Sequence, residues 1–363
     1  MRVRFVLSAL LIAAATPVFA EEPKWPNYQE ADFTVKNYIF KSGESLPEVK
    51  LHYRTLGTPK HDGSGAIVNG VLLLQGNTGT GANWLRPSLA DELFKAGEPL
   101  DVSQYFVIMP DAIGRGGSSK PSDGPRAEFP HYRYHDMIDL YHRLIADGLG
   151  IKHLRLVLGS SLGCMHTWMW GEMYAGEVDG LVALSCQPVE ISGRNRISRL
   201  AAAQSIRHDP GYQDGKYDKP PTVWMYAAAG SSFFTESPVR IQEMAPSRAA
   251  ADALYQKRLQ QMQGRDANDV LYELESIEDY SPEAELDKIT AKVLLINDSE
   301  DFADPPTLGT VERAMQRVKQ GRYVLIPPGP NTHGHFSHYY AAVWKPYLAE
   351  FLQSLGPTKA AAK

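Results

Sequence analysis

The sequence predicts an α/β fold in which a mostly parallel central sheet is flanked by helices and carries an inserted helical lid. Short apolar runs of strand length, bounded by Gly, Pro or Asn, recur at residues 71–74, 105–109, 154–158, 181–184, 293–296 and 323–326. Runs that are apolar at nearly every position are typical of strands buried on both faces of a parallel sheet. Helical patterns at 135–149 and 164–174 separate several of these runs, and such alternation indicates an open α/β sheet.

A helical lid is predicted at residues 187–286, where the alternation of strands and helices stops. This segment holds helical patterns at 196–206 and 247–262 but no apolar run of the buried-strand type. Residues 32–186 and 287–355 then form the α/β core. An insertion at the carboxyl edge of the strands would cover the crevice in which open α/β sheets bind ligands.

The first twenty residues have the pattern of a signal peptide. Arg2 and Arg4 supply positive charge, an apolar run covers residues 5–16, and the small residue Ala20 precedes a predicted cleavage point. The run is too short for a membrane anchor, which needs about 20 apolar residues. Residues 1–20 therefore predict a cleaved leader and a periplasmic or secreted mature protein without a membrane span. Residues 356–363 form a short Ala/Lys tail that we expect to be flexible.

Composition disfavours several classes of function. The 363-residue chain has a net charge of −5 and a pI near 6.1, so it has no basic field for binding nucleic acid. Two cysteines are too few for a zinc cage of thiolates, and we expect neither a metal nor a cofactor. Cys164 and Cys186 follow neighbouring predicted strands, and the sequence leaves open whether they form a disulfide or remain two buried thiols.

A candidate nucleophile lies in the motif Gly-Ser-Ser-Leu-Gly at residues 159–163, which follows a predicted strand and precedes a helical pattern. In this context the glycines permit a turn so sharp that side chains there would collide with the backbone, and the turn lifts the Ser161 hydroxyl above the sheet. A structural turn with an idle serine is the alternative. Serine is a weak nucleophile, so Ser161 requires a base to take its proton and an acid to orient that base.

The acid is expected in the loop at residues 297–305, which follows a late strand. We favour Asp301 because of its spacing to Pro305. The same loop contains three alternative carboxylates, Asp298, Glu300 and Asp304.

The candidate base is His335, which follows the last predicted strand, so the order along the chain is serine, acid, histidine. His333 and His338 lie close to it in sequence. A metal site built from these histidines is the weaker interpretation because no cysteine matches them and their spacing is irregular.

The remaining candidates concern the oxyanion and the acyl group. A glycine-rich stretch at residues 75–81 follows the first central strand, and the backbone N–H groups of Asn77 and Leu162 are the predicted oxyanion donors. That stretch lacks the spacing of a phosphate-binding loop. Four aromatic lid residues either line an acyl pocket or pack the lid on the core, namely Trp224, Tyr226, Phe233 and Phe234.

Several further motifs resemble the homoserine O-acetyltransferase (MetX-like) branch of the α/β-hydrolase superfamily. They lie at residues 96–101, 105–108, 113–114, 129–130, 135–138, 209–210, 215–217 and 266–268, and the resemblance covers roughly residues 35–355. It implies the α/β-hydrolase fold, a homodimer formed through the lid, and a Ser-Asp-His triad that passes an acyl group through a serine ester. By motif, those roles fall on Ser161, Asp301 and His335.

The chain departs from that family where the substrate is concerned. The family's lid arginine, which holds an amino-acid carboxylate, falls near Ala227 in this sequence, and no arginine lies between Arg207 and Arg240. A substrate carboxylate without such a partner would be costly to bury. Export would also separate the protein from acetyl-CoA, a cytoplasmic donor.

The sequence therefore predicts an exported serine hydrolase that cleaves small-molecule carboxylic esters through an acyl-enzyme. Transfer of the acyl group to an alcohol acceptor is the alternative within the same chemistry. A binding module that keeps the fold without turnover is the alternative from another class, and the intact set of three side chains disfavours it.

Overall fold

The computed structural model describes residues 25–77 and 79–356. The predicted leader, residues 1–20, lies outside the described residues. So does the predicted tail, apart from its first residue, Gly356.

An eight-stranded sheet forms the centre of the fold. Its strands are β1 (Gln29–Ile39), β2 (Ser45–Leu56), β3 (Gly70–Leu74), β4 (Phe106–Pro110), β5 (Leu154–Ser160), β6 (Val178–Leu184), β7 (Lys292–Asp298) and β8 (Gly321–Ile326). They are ordered β1-β2-β4-β3-β5-β6-β7-β8 across the sheet. Strand β2 runs antiparallel to β1 and β4, and the other neighbouring strands pair in parallel, which confirms the predicted fold class.

Helices cover this sheet and fill the segment between β6 and β7. They are α1 (Pro87–Leu93), α2 (Tyr134–Arg143), α3 (Leu162–Met173), α4 (Gly193–Arg207), α5 (Trp224–Ser231), α6 (Pro238–Met244), α7 (Arg248–Met262), α8 (Ala267–Glu275), α9 (Thr310–Met315) and α10 (Ala341–Ser354). The helices α4 to α8 all fall within the segment predicted as the lid.

The six apolar runs in the sequence correspond to β3 to β8, but β1 and β2 were not predicted. These two strands are less buried than their neighbours, because they form a hairpin at one edge of the sheet. Only Val35 and Tyr38 of β1 are buried, so this strand lacks a continuous apolar run. Edge strands of this kind leave a weaker signal than strands covered on both faces.

The core consists of two apolar layers, one on each side of the sheet. Alternate residues of a strand point to opposite faces, and Leu72 accordingly joins the layer with helices α2 and α3, whereas Leu73 joins the layer with α1 and α10. A third cluster, which includes Ile206, Trp224 and Leu271, packs the lid helices against one another.

A disulfide joins Cys164 in α3 to Cys186, two residues beyond the end of β6, with a Cα–Cα distance of 5.9 Å. The structure thus resolves the alternative that the sequence left open. The bond ties the helix that follows Ser161 to the point where the chain enters the lid.

Across residues 25–77 and 79–356, the helices are either too short or too polar to cross a membrane.

Candidate active site

Ser161 lies in a sharp turn between β5 and α3. Its backbone has φ of 53° and ψ of −112°, which is a rare conformation for a residue with a side chain. A Cβ atom at Gly159 would overlap the carbonyl oxygen of Gly163, and one at Gly163 would overlap that of Leu74. Both glycines of the motif are therefore required by close backbone contacts.

His335 and Asp301 form a hydrogen-bonded chain with this serine. The Oγ atom of Ser161 lies 2.9 Å from Nε2 of His335, and Nδ1 of His335 lies 2.8 Å from Oδ2 of Asp301. The other oxygen of Asp301 accepts the backbone N–H groups of Ala303 and Asp304 at 2.8 and 3.1 Å. Asp301 is thereby held in place, and it in turn fixes the orientation of the imidazole.

The three alternative carboxylates occupy other positions. Asp298 accepts a hydrogen bond from the hydroxyl of Ser337, and Glu300 accepts one from the hydroxyl of Thr332. Oδ2 of Asp304 comes to 4.0 Å from Nδ1 of His335, too far for a hydrogen bond. Of the four candidates, Asp301 is the one that is hydrogen-bonded to the imidazole.

The neighbouring histidines do not take the place of His335. His333 stacks on Tyr340, with ring centres 4.0 Å apart. His338 is buried with its Nδ1 atom 2.6 Å from the carbonyl oxygen of His335, and burial lowers the pKa of His338 to about 3. His338 is thus neutral near pH 7.

Burial and the two neighbouring aspartates, Asp301 and Asp304, have opposite effects on the pKa of His335. Burial disfavours the imidazolium, but the charge and hydrogen bond of Asp301, together with the charge of Asp304, outweigh it and raise the pKa of His335. Burial, followed by the charge of Asp301, raises the pKa of Asp304 to about 7.

The possible ligand atoms of Asp301, Asp304 and His335 lie within 4.8 Å of one another, as they would in a metal site. The Nδ1 atom of His335 is, however, already engaged with Asp301.

The predicted oxyanion donors lie beside the serine. Leu162 is the first residue of α3, and the first N–H groups of a helix have no acceptor within it. Asn77 lies three residues beyond the end of β3 and borders the same cavity as Ser161. A Cβ atom at Gly76 would lie 3.4 Å from the Cβ atom of Ser161, so this loop runs close to the nucleophile.

A cavity of about 990 Å³ is bordered by Ser161 and His335 and by residues of α4 to α8. Trp224 and Phe234, two of the four predicted pocket aromatics, border it. The other two do not: Tyr226 is 57% exposed, and Phe233 packs under the guanidinium of Arg258 at 5.6 Å. The structure therefore does not place Tyr226 and Phe233 among the residues that border this cavity.

The sequence interpretation missed the positive charge of this cavity. Five arginines of the lid segment border it, namely Arg194, Arg199, Arg240, Arg258 and Arg265. The family's lid arginine falls near Ala227, and around that position this chain has no arginine. Helix α4, which precedes Ala227 in the chain, brings Arg194 and Arg199 to the wall of the cavity.

Three comparisons with known proteins agree with this fold. The profile of the alpha/beta hydrolase fold family matches residues 69–342. A probable acyltransferase of Methanothermobacter thermautotrophicus is 25% identical over 295 residues, which cover 81% of this chain and 89% of the relative. A homoserine O-acetyltransferase of Chlorobium chlorochromatii is 30% identical over 205 residues, 53% of this chain and 54% of that enzyme. The chain thus spans about half the length of that relative.

Among solved structures, esterase E22 superimposes with a TM-score of 0.76 at 18% identity, covering 90% of this chain and all of that one. At this identity the likeness concerns the fold alone. The profile match and the sheet order lead to one conclusion: the chain belongs to the α/β-hydrolase family.

Proposed function

We propose that this protein is a serine acyltransferase that moves an acyl group from an ester to an alcohol through an ester of Ser161. In the first half-reaction Oγ of Ser161 bonds to the acyl carbon while Nε2 of His335 takes its proton. The C–O bond of the donor then breaks, and the imidazolium returns the proton to the departing alcohol. In the second half-reaction an acceptor hydroxyl gives its proton to His335, its oxygen takes the acyl group, and Ser161 is regenerated.

The observation that carries this proposal is the hydrogen-bonded chain from Ser161 through His335 to Asp301, at 2.9 and 2.8 Å. Asp301 stabilises the imidazolium that forms when the serine is deprotonated. The N–H groups of Leu162 and Asn77 are the proposed donors to the oxyanion of each tetrahedral intermediate.

Acyl transfer is favoured over hydrolysis by two observations. The relatives that match this sequence over 53 to 81% of its length carry acyltransferase names. The cavity of about 990 Å³ is at the upper end of the range for small-molecule sites and has room for a donor and an acceptor.

Ester hydrolysis, the leading prediction from the sequence, is the second candidate. It uses the same acyl-enzyme, with water in place of the alcohol. The absence of an arginine at Ala227 favours it, because the family's means of holding an amino-acid acceptor is missing at that position.

Covalent labelling tests the step that both candidates share. A fluorophosphonate probe is expected to label the protein without residues 1–20, and the Ser161→Ala variant is expected to remain unlabelled. Labelling that persists in Ser161→Ala, or that fails in the wild type, contradicts the acyl-enzyme and favours a non-catalytic binding role.

Partitioning of the acyl-enzyme separates transfer from hydrolysis. With p-nitrophenyl acetate as donor, release of p-nitrophenol is measured while small alcohols are added and the acetylated product is quantified. A transferase forms acetylated alcohol in preference to acetate at millimolar acceptor. Acetate as the sole product across a panel of alcohols would establish hydrolysis instead.

We also infer export, on the pattern of residues 1–20. An exported enzyme would use an ester donor rather than a cytoplasmic thioester. Amino-terminal sequencing of the protein from a producing cell is expected to begin at Glu21, and an intact Met1 would contradict the inference.

A further inference from the structure

Arg199 is a charged residue of the cavity that the proposed mechanism does not use. It lies in α4 and borders the same cavity as Ser161 and His335. Its charge lowers the pKa of both His335 and Asp304, so the guanidinium lies within electrostatic reach of the acid–base groups. Arg199 is therefore part of the surroundings of the reacting atoms rather than of the outer lid surface.

The other arginines of the lid that border the cavity have partners. Three of them form ion pairs, Arg240 with Glu243, Arg258 with Glu236, and Arg265 with Glu273. Arg194 is exposed, and its guanidinium lies over the ring of Phe302 at 5.6 Å. The charges of the first three arginines are thus paired with carboxylates, and Arg194 is held by the aromatic ring.

Arg199 differs from these residues in its hydrogen bonds, although the carboxylate of Asp304 lies within its electrostatic reach. Its Nε atom donates to the side-chain oxygen of Asn195 at 2.9 Å, a neutral partner. Its Nη1 atom is buried and has no hydrogen-bond acceptor within residues 25–77 and 79–356. Within the same described residues, no carboxylate oxygen lies within 4.0 Å of a guanidinium nitrogen of Arg199. A buried guanidinium nitrogen without an acceptor is costly, unless a ligand supplies the acceptor.

We propose that Arg199 binds a carboxylate of the substrate in the Ser161 cavity. The proposal rests on the proposed function, since it places an anionic group on one of the two partners in acyl transfer, the ester donor or the alcohol acceptor. A guanidinium matches a carboxylate by paired N–H donors, and such charge-assisted hydrogen bonds are about twice as strong as neutral ones. The arginine that the sequence lacks near Ala227 is thus replaced from a different helix, α4.

The experiment compares charged and neutral probes of similar size. On the donor side the probes are p-nitrophenyl hydrogen succinate and p-nitrophenyl butyrate, and on the acceptor side 4-hydroxybutyrate and 4-hydroxybutyramide. The measured quantity is the ratio of kcat/KM for the charged to the neutral probe in each pair. Loss of one charge-assisted contact predicts a fall of about 10- to 100-fold in one of these ratios for Arg199→Gln.

Two control variants distinguish a specific contact of Arg199 with the carboxylate from a general effect of positive charge in the cavity. Arg199→Lys keeps the charge but not the paired donors and is expected to retain part of the preference. Arg194→Gln removes a charge from the same helix and cavity wall and is expected to leave both ratios unchanged.

Unchanged ratios in Arg199→Gln, or an equal fall in Arg194→Gln, would overturn the proposal. Fluorophosphonate labelling of Arg199→Gln shows that the variant is folded and its serine reactive, so failure of carboxylate recognition is distinguishable from failure of the acyl-enzyme.

A second readout is the acidic limb of the pH profile of kcat/KM with the neutral ester. Arg199→Gln is expected to move this limb to higher pH, because the arginine's charge disfavours the imidazolium of His335.

Discussion

Asp301 and Asp304 both approach Nδ1 of His335, at 2.8 and 4.0 Å, yet only the nearer one is hydrogen-bonded to it. An asparagine in place of Asp301 would present the imidazole with the wrong partner and favour the wrong tautomer. We expect Asp301→Asn to lower kcat by about 10³- to 10⁴-fold, the effect of the same change in other serine triads.

Asp304→Asn is the matched control for this prediction, and steady-state turnover of p-nitrophenyl acetate at the pH optimum measures both variants. Because Asp304 makes no hydrogen bond to His335, its variant is expected to keep turnover within about 10-fold of the wild type. A larger loss in Asp304→Asn than in Asp301→Asn would reassign the acid of the triad.

The same two carboxylates determine the pH dependence of activity. His335 must be neutral to accept the serine proton, so kcat/KM rises with pH as its imidazolium is deprotonated. The negative charge of Asp304 raises the pKa of His335, whereas burial and Arg199 lower it. Removing the charge in Asp304→Asn is therefore expected to shift the acidic limb to lower pH.

A pH profile of kcat/KM for the wild type and Asp304→Asn measures this shift. The pKa of Asp304 is raised to about 7, so the wild-type limb reports the coupled pair rather than His335 alone. A limb that moves to higher pH in Asp304→Asn would contradict the electrostatic account.

Residues fixed by local motifs were predictable, and residues fixed by tertiary packing were not. Ser161 could be located because its turn demands glycines at fixed spacing, visible in any single sequence. Asp301 could be favoured but not separated from Asp304 until the imidazole was placed. Arg199 carried no motif, and its role depends on a helix whose orientation over the cavity no local pattern specifies.

At the scale of elements, the disulfide between Cys164 and Cys186 joins α3 to the end of β6 across a sequence separation of 22. Closing a loop of this length reduces the freedom of the unfolded chain and contributes about 2–4 kcal/mol. We expect the double variant Cys164→Ala/Cys186→Ala to lose stability by that amount, measured by urea unfolding without reductant.

Reductant supplies the control for this prediction, since the wild type in dithiothreitol should unfold near the midpoint of the double variant. The double variant itself should be insensitive to dithiothreitol. A wild type whose unfolding midpoint does not respond to full reduction would show that the bond contributes little.

The lid offers a second test at this scale, because Asp266 caps α8. Its Oδ1 atom accepts the backbone N–H groups of Asn268 and Asp269 at 2.9 and 3.2 Å, and its Oδ2 atom accepts the hydroxyl of Tyr217 at 2.7 Å. Asp266→Ala is expected to destabilise the protein by about 1–2 kcal/mol in urea unfolding. The amide oxygen of Asp266→Asn can still accept the two backbone N–H groups, although its amide nitrogen cannot accept the Tyr217 hydroxyl, and a loss equal to that of Asp266→Ala would contradict the capping role.

Across the whole molecule, the sheet could be predicted where a strand carries a continuous apolar run and not where its apolar residues are scattered. Strands β3 to β7 are buried along nearly their whole length and each has such a run, as does the edge strand β8 at residues 323–326. Strand β1, in contrast, buries only Val35 and Tyr38. The helical character of the lid could likewise be predicted, from the helical patterns at residues 196–206 and 247–262. How its helices pack over the cavity could not, since their contacts join residues far apart in sequence.

Exposed apolar side chains are concentrated on this lid. Seven large hydrophobic residues of the segment are at least 46% exposed, namely Ile197, Leu200, Val223, Tyr226, Phe234, Val239 and Met244. Monomeric proteins rarely leave such side chains uncovered where they form a contiguous patch, and we propose that a second copy of the chain covers part of this surface.

Light scattering coupled to size-exclusion chromatography is then expected to give the mass of a dimer for the protein without its leader. The double variant Ile197→Glu/Val223→Glu should shift this mass toward the monomer, because two charges would be buried without partners at the interface. Ile39→Glu alters a residue that is 70% exposed on β1, outside the lid, and should leave the dimer intact. A wild-type protein that elutes as a monomer at micromolar concentration would show that the lid surface is covered in another way or serves the entry of substrate.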